Sequence, residues 1–201
     1  DTEFLQNREN ALDILRKLIN VNRDISIITK LPLSRYFVEK LAEINKKLET
    51  KNNLLVFSMS VPCLQSASFW EPKVPKPETR IATLKMVHAT GIRTLVAIRP
   101  LLPTLPTQET ENIVDLTHDV TDGFYSGPLY LKNLDSGLLL NQKNLKIEKI
   151  QPAWMPKDNE FYKIEKEGQL ENLRTMVERR GKLLFEGAVE AVKYLKSNEK
   201  Y

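Results

Sequence analysis

Polar residues end or follow three short apolar runs of this sequence, and their side chains are of the types that bind anions. They are Thr29 and Lys30 after the first run, Ser58 and Ser60 in the second, and Arg99 after the third. A guanidinium offers a planar pair of donors to a carboxylate or phosphate, and an ammonium acts as a point charge. Lys30 and Arg99 are therefore candidates for one anion site. The open alternative is that Lys30 extends into solvent and Arg99 pairs with a nearby acid.

The apolar runs alternate with amphipathic stretches, and this order predicts how the candidate residues are positioned. We predict helices over residues 3–20, 35–49, 78–90 and 107–121, and strands over residues 24–30, 54–61, 94–98 and 122–131. Nearly continuous apolar strands that alternate with helices are typical of a parallel α/β sheet. Ligands of such sheets bind at the carboxyl ends of the strands, where the candidate residues lie.

The rest of the chain has a different pattern. Residues 132–160 lack a clear period and are predicted to be rich in loops, and residues 161–196 are predicted to form one or two basic helices. The sequence therefore predicts a division into residues 1–131 and 132–201. Four strands are too few to close an eight-stranded barrel of about 250 residues, so we expect an open sheet or part of a barrel.

Five further residues could do chemistry, but each has a simpler structural interpretation. Glu71 and Arg80 are predicted to form a buried pair that pins a loop, with a ligand-orienting role as the less favoured alternative. His88 and His118 lie inside predicted helices and are expected to be packing or surface residues rather than bases or metal ligands. Cys63 is expected to be a half-buried, unreactive thiol.

Composition excludes several classes of protein. The chain has 201 residues, 30 Lys and Arg, 26 Asp and Glu, a net charge of +4 and one cysteine. One cysteine excludes an internal disulfide framework and an all-cysteine metal site within this chain, so no metal ligand is predicted. No apolar run reaches the roughly 18 residues of a membrane span, and no signal peptide follows Asp1. We therefore expect a cytoplasmic protein without a membrane partner.

A nucleic-acid partner is an open but less favoured alternative. The net charge is too small to indicate one by itself. Lysines and arginines within residues 163–182, beside Phe161 and Tyr162, could contact phosphates. A solvated basic helix face explains the same residues.

The order and spacing of the strand-end residues resemble those of radical S-adenosylmethionine (SAM) enzymes of the spore-photoproduct-lyase-like group. The resemblance covers roughly residues 1–131. Its specificity comes from the order of the motifs, since no single motif is highly specific. The matching residues are Thr29-Lys30, Phe57-Ser58-Met59-Ser60, Glu71-Pro72, Pro77, Arg80-Ile81, Gly91-Ile92 and Ile98-Arg99-Pro100-Leu101-Leu102-Pro103.

The resemblance implies a fold, two cofactors and site residues. The group folds as a partial (β/α)₆ barrel, and a Cys-x3-Cys-x2-Cys loop binds a [4Fe–4S] cluster that cleaves SAM to a 5′-deoxyadenosyl radical. By this resemblance, Lys30 would contact the SAM carboxylate and Ser58 the ribose or the amino-acid portion. Arg99 would be a second contact at the same edge, and Ser60 is counted among the cofactor-binding candidates.

The sequence also departs from the family, because it has no Cys-x3-Cys-x2-Cys loop and no glycine-rich motif for the SAM amino group. We therefore expect the carboxyl-terminal part of a truncated radical SAM-type barrel with a helical extension, inactive alone, with the cysteine loop before Asp1. The alternative is a degenerate, cluster-free barrel that binds a carboxylate, a phosphate or nucleic acid. The substrate is not predicted; aromatic residues that could line its site, or simply pack, are Tyr125, Tyr130, Trp154 and Phe161.

Overall fold

The computed structural model describes residues 7–134, 139, 143–151 and 160–198. The helices are α1 (Arg8–Leu18), α2 (Arg35–Glu49), α3 (Ala67–Trp70), α4 (Pro77–His88), α5 (Thr107–Thr117), α6 (Gln169–Arg179) and α7 (Ala188–Ser197). The strands are β1 (Ile25–Thr29), β2 (Leu55–Ser60), β3 (Arg93–Ile98), β4 (Gly123–Ser126), β5 (Leu129–Leu131), β6 (Leu145–Ile150), β7 (Phe161–Lys166) and β8 (Leu184–Phe185). Short 3₁₀ turns, Ile19–Val21 and His118–Val120, follow α1 and α5.

The centre of the molecule is a parallel sheet of five strands in the order β1-β2-β3-β4-β8. All four neighbouring pairs are parallel. The predicted parallel α/β fold is therefore confirmed. The four predicted helices of the first part are present: α2 has the predicted bounds, and α1, α4 and α5 end two to four residues before their predicted ends. Residues 3–6 of the first predicted helix lie outside the described residues. Local signals set the ends of the helices. Ser34 Oγ accepts a hydrogen bond from the Phe37 amide (3.3 Å) at the start of α2, and Gly91, with φ of 84°, follows α4.

The two faces of the central sheet have different environments. Alternate strand residues such as Phe57 and Met59 pack under the helices α1, α2, α4, α5 and α6 in the larger apolar core. The strand residues between them point to the opposite side of the sheet, which we call the inner face. Its residues are Val56, Ser58, Leu95, Ala97 and Tyr125. Most of the apolar burial that holds the sheet thus lies on one face, and the other face carries the polar groups.

Helix α7 covers part of the inner face. Its Ala191 and Leu195 belong to the same apolar cluster as Val56 and Leu95. At the amino end of β1, Lys196 Nζ donates a hydrogen bond to Asp24 Oδ1 at 2.7 Å. The helix therefore closes the inner face at the amino ends of the strands and leaves the carboxyl ends to other elements.

The second part of the chain differs from its prediction. Residues 161–166 form the strand β7 rather than a helix, and β5, β7 and β6 make an antiparallel sheet in that order. One or two basic helices were predicted over residues 161–196, and two are present, so the prediction is wrong for residues 161–166 and for β8. Gly168 and Gly181, both with positive φ, lie on either side of the first of these helices. Only Gln169–Arg179 and Ala188–Ser197 are helical, and β8 between them adds the fifth strand of the central sheet.

The predicted fourth strand is likewise two strands. Gly127 and Pro128 separate β4, which pairs with β3, from β5, which pairs with β7 in the second sheet. Since a proline has no amide hydrogen to donate, a single continuous strand through this point is disfavoured. The chain therefore leaves the central sheet at its carboxyl edge and builds the second sheet there.

Strand β1 forms one edge of the central sheet. Among the described residues no strand pairs with its outer side. On the inner face Ile28 keeps 40% of its surface exposed. Of the five residues of β1, Ile25, Ile27 and Thr29 are buried and Ser26 and Ile28 are exposed, so the unpaired outer side of this strand could accept a further strand.

A substitution at Gly123 tests whether β8 packs beside β4 in the central sheet. A Cβ atom at Gly123 would lie 2.7 Å from Phe185 Cε2 and 3.3 Å from the Leu183 carbonyl oxygen. We expect Gly123→Ser to lower the free energy of unfolding by about 1–3 kcal/mol, because the added atoms must displace β8. The measurement is urea unfolding followed by circular dichroism.

The matched control is Gly187→Ser, where a Cβ would have no heavy atom within 4 Å. Gly187 is the N-cap of α7 in extended backbone, so serine is expected to change stability by less than about 0.5 kcal/mol or to add to it. Equal stability of the two variants would contradict the docking of β8 beside β4.

Candidate functional site

The carboxyl edge of the central sheet brings together three of the four predicted site residues. Lys30 follows β1 directly, Ser60 ends β2 and Arg99 follows β3. The strand register pairs Thr29 with Met59 and Ser60 with Ala97, which puts these strand ends at one level. Ser58 lies on the inner face one step towards the sheet centre, and its side chain is fully buried.

The best-connected group at this edge is the carboxylate of Glu71, which lies in the loop after β2. Lys30 Nζ donates to Glu71 Oε1 at 2.5 Å, and Arg80 Nη2 donates to Glu71 Oε2 at 2.7 Å. Arg80 Nη1 also donates to the Ser60 carbonyl oxygen at 2.9 Å. The predicted Glu71–Arg80 pair is therefore present, and Lys30 is a second partner of Glu71 that the sequence did not reveal.

The three charged side chains leave one positive charge at the surface. Two cations and one carboxylate sum to +1. The Arg80 side chain is 0% exposed and that of Glu71 is 7% exposed, whereas 34% of the Lys30 side chain is exposed. Because Arg80 balances Glu71 in the interior, the surplus charge is presented to solvent by Lys30.

Cys63 lies behind this group and is a structural thiol. Its side chain is fully buried, and Sγ lies 3.7 Å from Glu71 Oε2. Burial and then the Glu71 carboxylate raise the pKa of Cys63 to about 12, with Arg80 acting in the opposite direction. The thiol is thus more buried than the sequence predicted, and as unreactive.

A second buried carboxylate, Glu109 of α5, fixes the loop that carries Glu71. Its Oε1 accepts hydrogen bonds from the amides of Leu64 (2.7 Å) and Ser66 (2.9 Å), and its Oε2 accepts one from Ser66 Oγ (2.7 Å). Sequence reasoning missed this residue, because an acid in the first turn of a helix is ordinarily solvent-exposed and favoured there by the helix dipole. No local signal marks it as buried.

Two hydroxyl groups on the inner face lack hydrogen-bond partners. Ser58 Oγ and Tyr125 Oη are both buried, and the two hydroxyls are near enough to interact with each other but form no hydrogen bond of regular geometry. Burial raises the pKa of Tyr125, and the nearby Ser58 hydroxyl and Arg99 guanidinium oppose that rise. Since nearly all buried polar groups in proteins are paired, this is a place where a ligand or water would complete the structure.

Arg99 projects from the same edge with an uncommitted guanidinium. The residue is exposed, and it makes neither an ion pair nor a side-chain hydrogen bond with the described residues. Its side chain passes over Gly127, where a Cβ would lie 3.0 Å from Arg99 Nε. The guanidinium is therefore placed beside the end of β4 and retains its donors for an anion.

A cleft of about 640 Å³ opens beyond Gly127, between the end of β4, β7, α6 and β8. Its volume suits a small organic ligand. Cations and carboxylates contribute to its lining in equal number: Lys163, Lys166 and Arg174, and Glu165, Glu171 and Glu186. Its apolar lining comprises Leu101, Pro128, Tyr130, Ile164, Leu170, Leu184 and Phe185.

Of the described aromatic residues that were considered for a substrate site, Tyr130 lines this cleft. Tyr125 packs on the inner face, and Phe161, in β7, does not line the cleft. Trp154 lies outside the described residues. The histidines are likewise distant from the edge: His88 Nδ1 lies 3.1 Å from Thr94 Oγ1, and His118 Nδ1 lies 2.9 Å from the Asp115 carbonyl oxygen.

Other classes of site find little support. Within the described ranges, no group of three or more His, Cys, Asp or Glu residues could hold a metal ion. Lys163 pairs with Glu165, and Arg180 pairs with Glu111 and Asp115, so acids balance these cations and the nucleic-acid alternative gains no support. No described helix is both long enough and apolar enough to cross a lipid bilayer.

Solved structures with the same fold are radical SAM enzymes. TsrM from Kitasatospora setae, a radical SAM methyltransferase with cobalamin and a [4Fe-4S] cluster bound, matches with a TM-score of 0.61 and 12% identity over 98% of this chain and 47% of that chain. TsrM with tryptophan substrate and the SAM analogue aza-SAM matches with a TM-score of 0.55 and 12% identity over 96% and 48%. The chain thus spans about half the length of TsrM. This likeness shows the fold.

Other comparisons add nothing further. Streptococcus suis SuiB bound to SAM matches at 16% identity over 59% of this chain and 26% of that chain, but its TM-score of 0.46 is too low to carry an argument. No family model and no curated protein matches the sequence.

The Cys63 environment yields a pH-dependent prediction. Since the folded-state pKa lies near 12, above the ordinary value of 9.0, the stability contributed by the protonated thiol is complete below pH 9.0 and is lost as pH rises towards 12. We expect wild-type protein to lose stability relative to Cys63→Ala over this window. The measurement is urea unfolding of both proteins as a function of pH.

A second readout is thiol labelling with iodoacetamide at pH 8. Native Cys63 is expected to resist labelling until the chain is unfolded in urea, because the thiol is buried and protonated. Labelling of the folded chain as fast as of the unfolded chain would contradict this environment.

Proposed function

We propose that this chain is the carboxyl-terminal part of a radical SAM enzyme of the spore-photoproduct-lyase-like group, and that Lys30, Ser58, Ser60 and Arg99 belong to its SAM site. The observation that carries the proposal is the surplus positive charge at the carboxyl edge of a parallel sheet, in a fold shared with an enzyme whose structure contains a SAM analogue. Within the radical SAM enzymes, the order of the strand-end motifs in the sequence supports the spore-photoproduct-lyase-like group.

The residues at the edge fit the chemical groups of SAM. The ammonium of Lys30 retains exposed surface for a carboxylate, and the uncommitted guanidinium of Arg99 is a second cation at the same edge. The unpaired hydroxyl of Ser58 suits a ribose or amino group. Because Ser58 Oγ is buried, a ligand reaches it only after a neighbouring side chain has moved.

The residues of this chain do not fit an iron–sulfur cluster. A [4Fe–4S] cluster needs cysteine thiolates, and the sequence has one cysteine, which is buried with its pKa raised to about 12. In the proposed enzyme a cluster and SAM together supply radical chemistry. Their thiolate ligands would come from a Cys-x3-Cys-x2-Cys loop outside this chain, and the exposed edge of β1 is where the earlier strands of a partial barrel would pair.

In the proposed enzyme, two parts of the chain bind different ligands. Residues 1–131 supply the SAM-binding edge, and residues 132–201 contribute most of the cleft of about 640 Å³ beyond Gly127. The cleft lies at the carboxyl ends of β4 and β8, next to Arg99. We assign it to the substrate, since in parallel α/β folds the reacting groups meet at this edge.

The second candidate function is a cluster-free binding module that uses the same edge for a carboxylate or phosphate. The observation that favours it is the absence of a cysteine loop from the sequence. The reading frame upstream of the codon for Asp1 separates the two proposals: a Cys-x3-Cys-x2-Cys loop encoded there supports the enzyme, and a start codon at this point supports the module.

Lys30 provides the first test of the SAM site. We expect Lys30→Met to weaken SAM binding about tenfold or more, the loss typical of a charge-assisted hydrogen bond, and to leave binding of 5′-methylthioadenosine unchanged because that ligand lacks the carboxylate. Isothermal titration calorimetry measures both affinities. Lys73→Met, which removes an exposed lysine from the loop after β2, is the matched control. Equal losses for both ligands would contradict the assignment of Lys30.

Reconstitution tests the enzyme itself. The longer gene product, supplied with iron and sulfide without oxygen, is expected to become brown and to release 5′-deoxyadenosine when reduced with SAM present. The present chain treated in the same way is the control and should remain colourless. A colourless long product that forms no 5′-deoxyadenosine would refute the proposed enzyme.

A further inference from the structure

We infer that Glu71 is a positioning residue for the ligand-binding cation: it fixes the Lys30 ammonium at the carboxyl edge, and Arg80 supplies the counter-charge that leaves the charge of Lys30 available to a ligand carboxylate. The inference rests on the proposed function, since the ligand is taken to be SAM. It assigns a role in ligand binding to a pair for which the sequence favours a pinned loop over a ligand-orienting role.

The two carboxylate oxygens of Glu71 accept hydrogen bonds from two different cations. Oε1 accepts from Lys30 Nζ at 2.5 Å, and Oε2 accepts from Arg80 Nη2 at 2.7 Å. The carboxylate is nearly enclosed, with 7% of its side chain exposed. It cannot turn towards one partner without abandoning the other, so its orientation is fixed.

The Arg80 side chain has no exposed surface, so its charge must be balanced within the protein. An unpaired buried guanidinium is strongly destabilising, so Arg80 needs the negative charge of Glu71 within the protein. Lys30, with 34% of its side chain exposed, can be solvated or bound by another anion. The negative charge of Glu71 is therefore committed to Arg80, and the positive charge of Lys30 remains uncompensated.

The Lys30 ammonium has hydrogen-bond donors that Glu71 does not use. An ammonium has three N–H donors, and the described structure uses one of them on Glu71. Two donors remain for a carboxylate that approaches from solvent, which would replace water and leave Glu71 in place. Fixing a long, flexible lysine side chain before the ligand arrives also reduces the entropy lost on binding.

The anchoring extends into the sheet. Arg80 donates to the Ser60 carbonyl oxygen at the end of β2, at 2.9 Å, and Glu109 holds the intervening loop through the amides of Leu64 and Ser66. The position of Lys30, which follows β1, is thus set by β2 and by α4. A purely structural bridge would have the same contacts, but its loss would weaken all ligands of the edge alike.

The test uses two variants of this chain that separate charge from position. Glu71→Gln raises the local net charge from +1 to +2, and the double variant Glu71→Leu/Arg80→Met keeps it at +1 but removes the group that holds Lys30. The double variant also avoids an unpaired buried arginine, so folding is preserved where the single change destabilises the chain. Glu78→Gln, an exposed glutamate on α4, is the matched control.

The measured quantity is the ratio of the dissociation constants for 5′-methylthioadenosine and SAM, determined by calorimetry on each folded variant. We expect this ratio to fall about threefold to tenfold in both variants and to stay unchanged in Glu78→Gln. In a Lys30→Met background, Glu71→Gln should have no further effect on the ratio, because the two residues act as one unit.

Tighter SAM binding by Glu71→Gln would show that Glu71 competes with the ligand for Lys30, and it would overturn the inference, as would an unchanged ratio in the double variant. In both cases the SAM preference of the wild-type chain would still stand, and with it the proposed function. A wild-type chain with no preference for SAM over 5′-methylthioadenosine would overturn the proposed function and this inference together.

Discussion

The carboxyl edge of the sheet depends on one buried carboxylate, Glu71, held between Lys30 and Arg80. This contact joins three separate segments of the chain: the end of β1, the loop after β2 and the first turns of α4. Charge balance makes it stable, since the fully buried Arg80 has a fixed anion beside it. The surplus positive charge that makes the edge a candidate anion site is a direct result of the same balance.

The rest of the sheet is organised so that this edge can be polar. The large apolar core lies between the sheet and the helices on its outer face, where residues such as Phe57 and Phe124 are fully buried. The inner face can therefore carry Ser58 and Tyr125 hydroxyls without hydrogen bonds, at a cost that the core offsets. Unsatisfied polar groups in an otherwise well-packed fold are typical of binding sites.

Much of the fold and part of the site could be predicted from the sequence. The strands β1 to β4 were predictable because buried parallel strands are continuous apolar runs, and their connection by helices puts Lys30, Ser60 and Arg99 at one edge. The Glu71–Arg80 pair was predictable because it spans one loop. The contact of Lys30 with Glu71 was not, since 41 residues separate them and no local spacing encodes it.

The second part of the chain was harder to predict for a physical reason. Strand β8 has two residues, too few to show any period, and it is defined by its pairing with β4. Strand β7 is half-buried on both faces, with Ile164 as its fully buried residue, so its alternation is weak. Glu109 was missed because its burial depends on the loop that folds over it.

The central claim is that a ligand with an adenosyl group and a carboxylate binds at the carboxyl edge of the central sheet. The most direct measurement is titration of SAM into the isotopically labelled chain, followed by nuclear magnetic resonance of backbone amides and lysine ammonium groups. The account predicts that the largest shifts occur at Lys30, Ser58, Ser60 and Arg99 and in the Glu71 loop. Shifts confined to α7 or to the amino ends of the strands, with Lys30 unchanged, would contradict it.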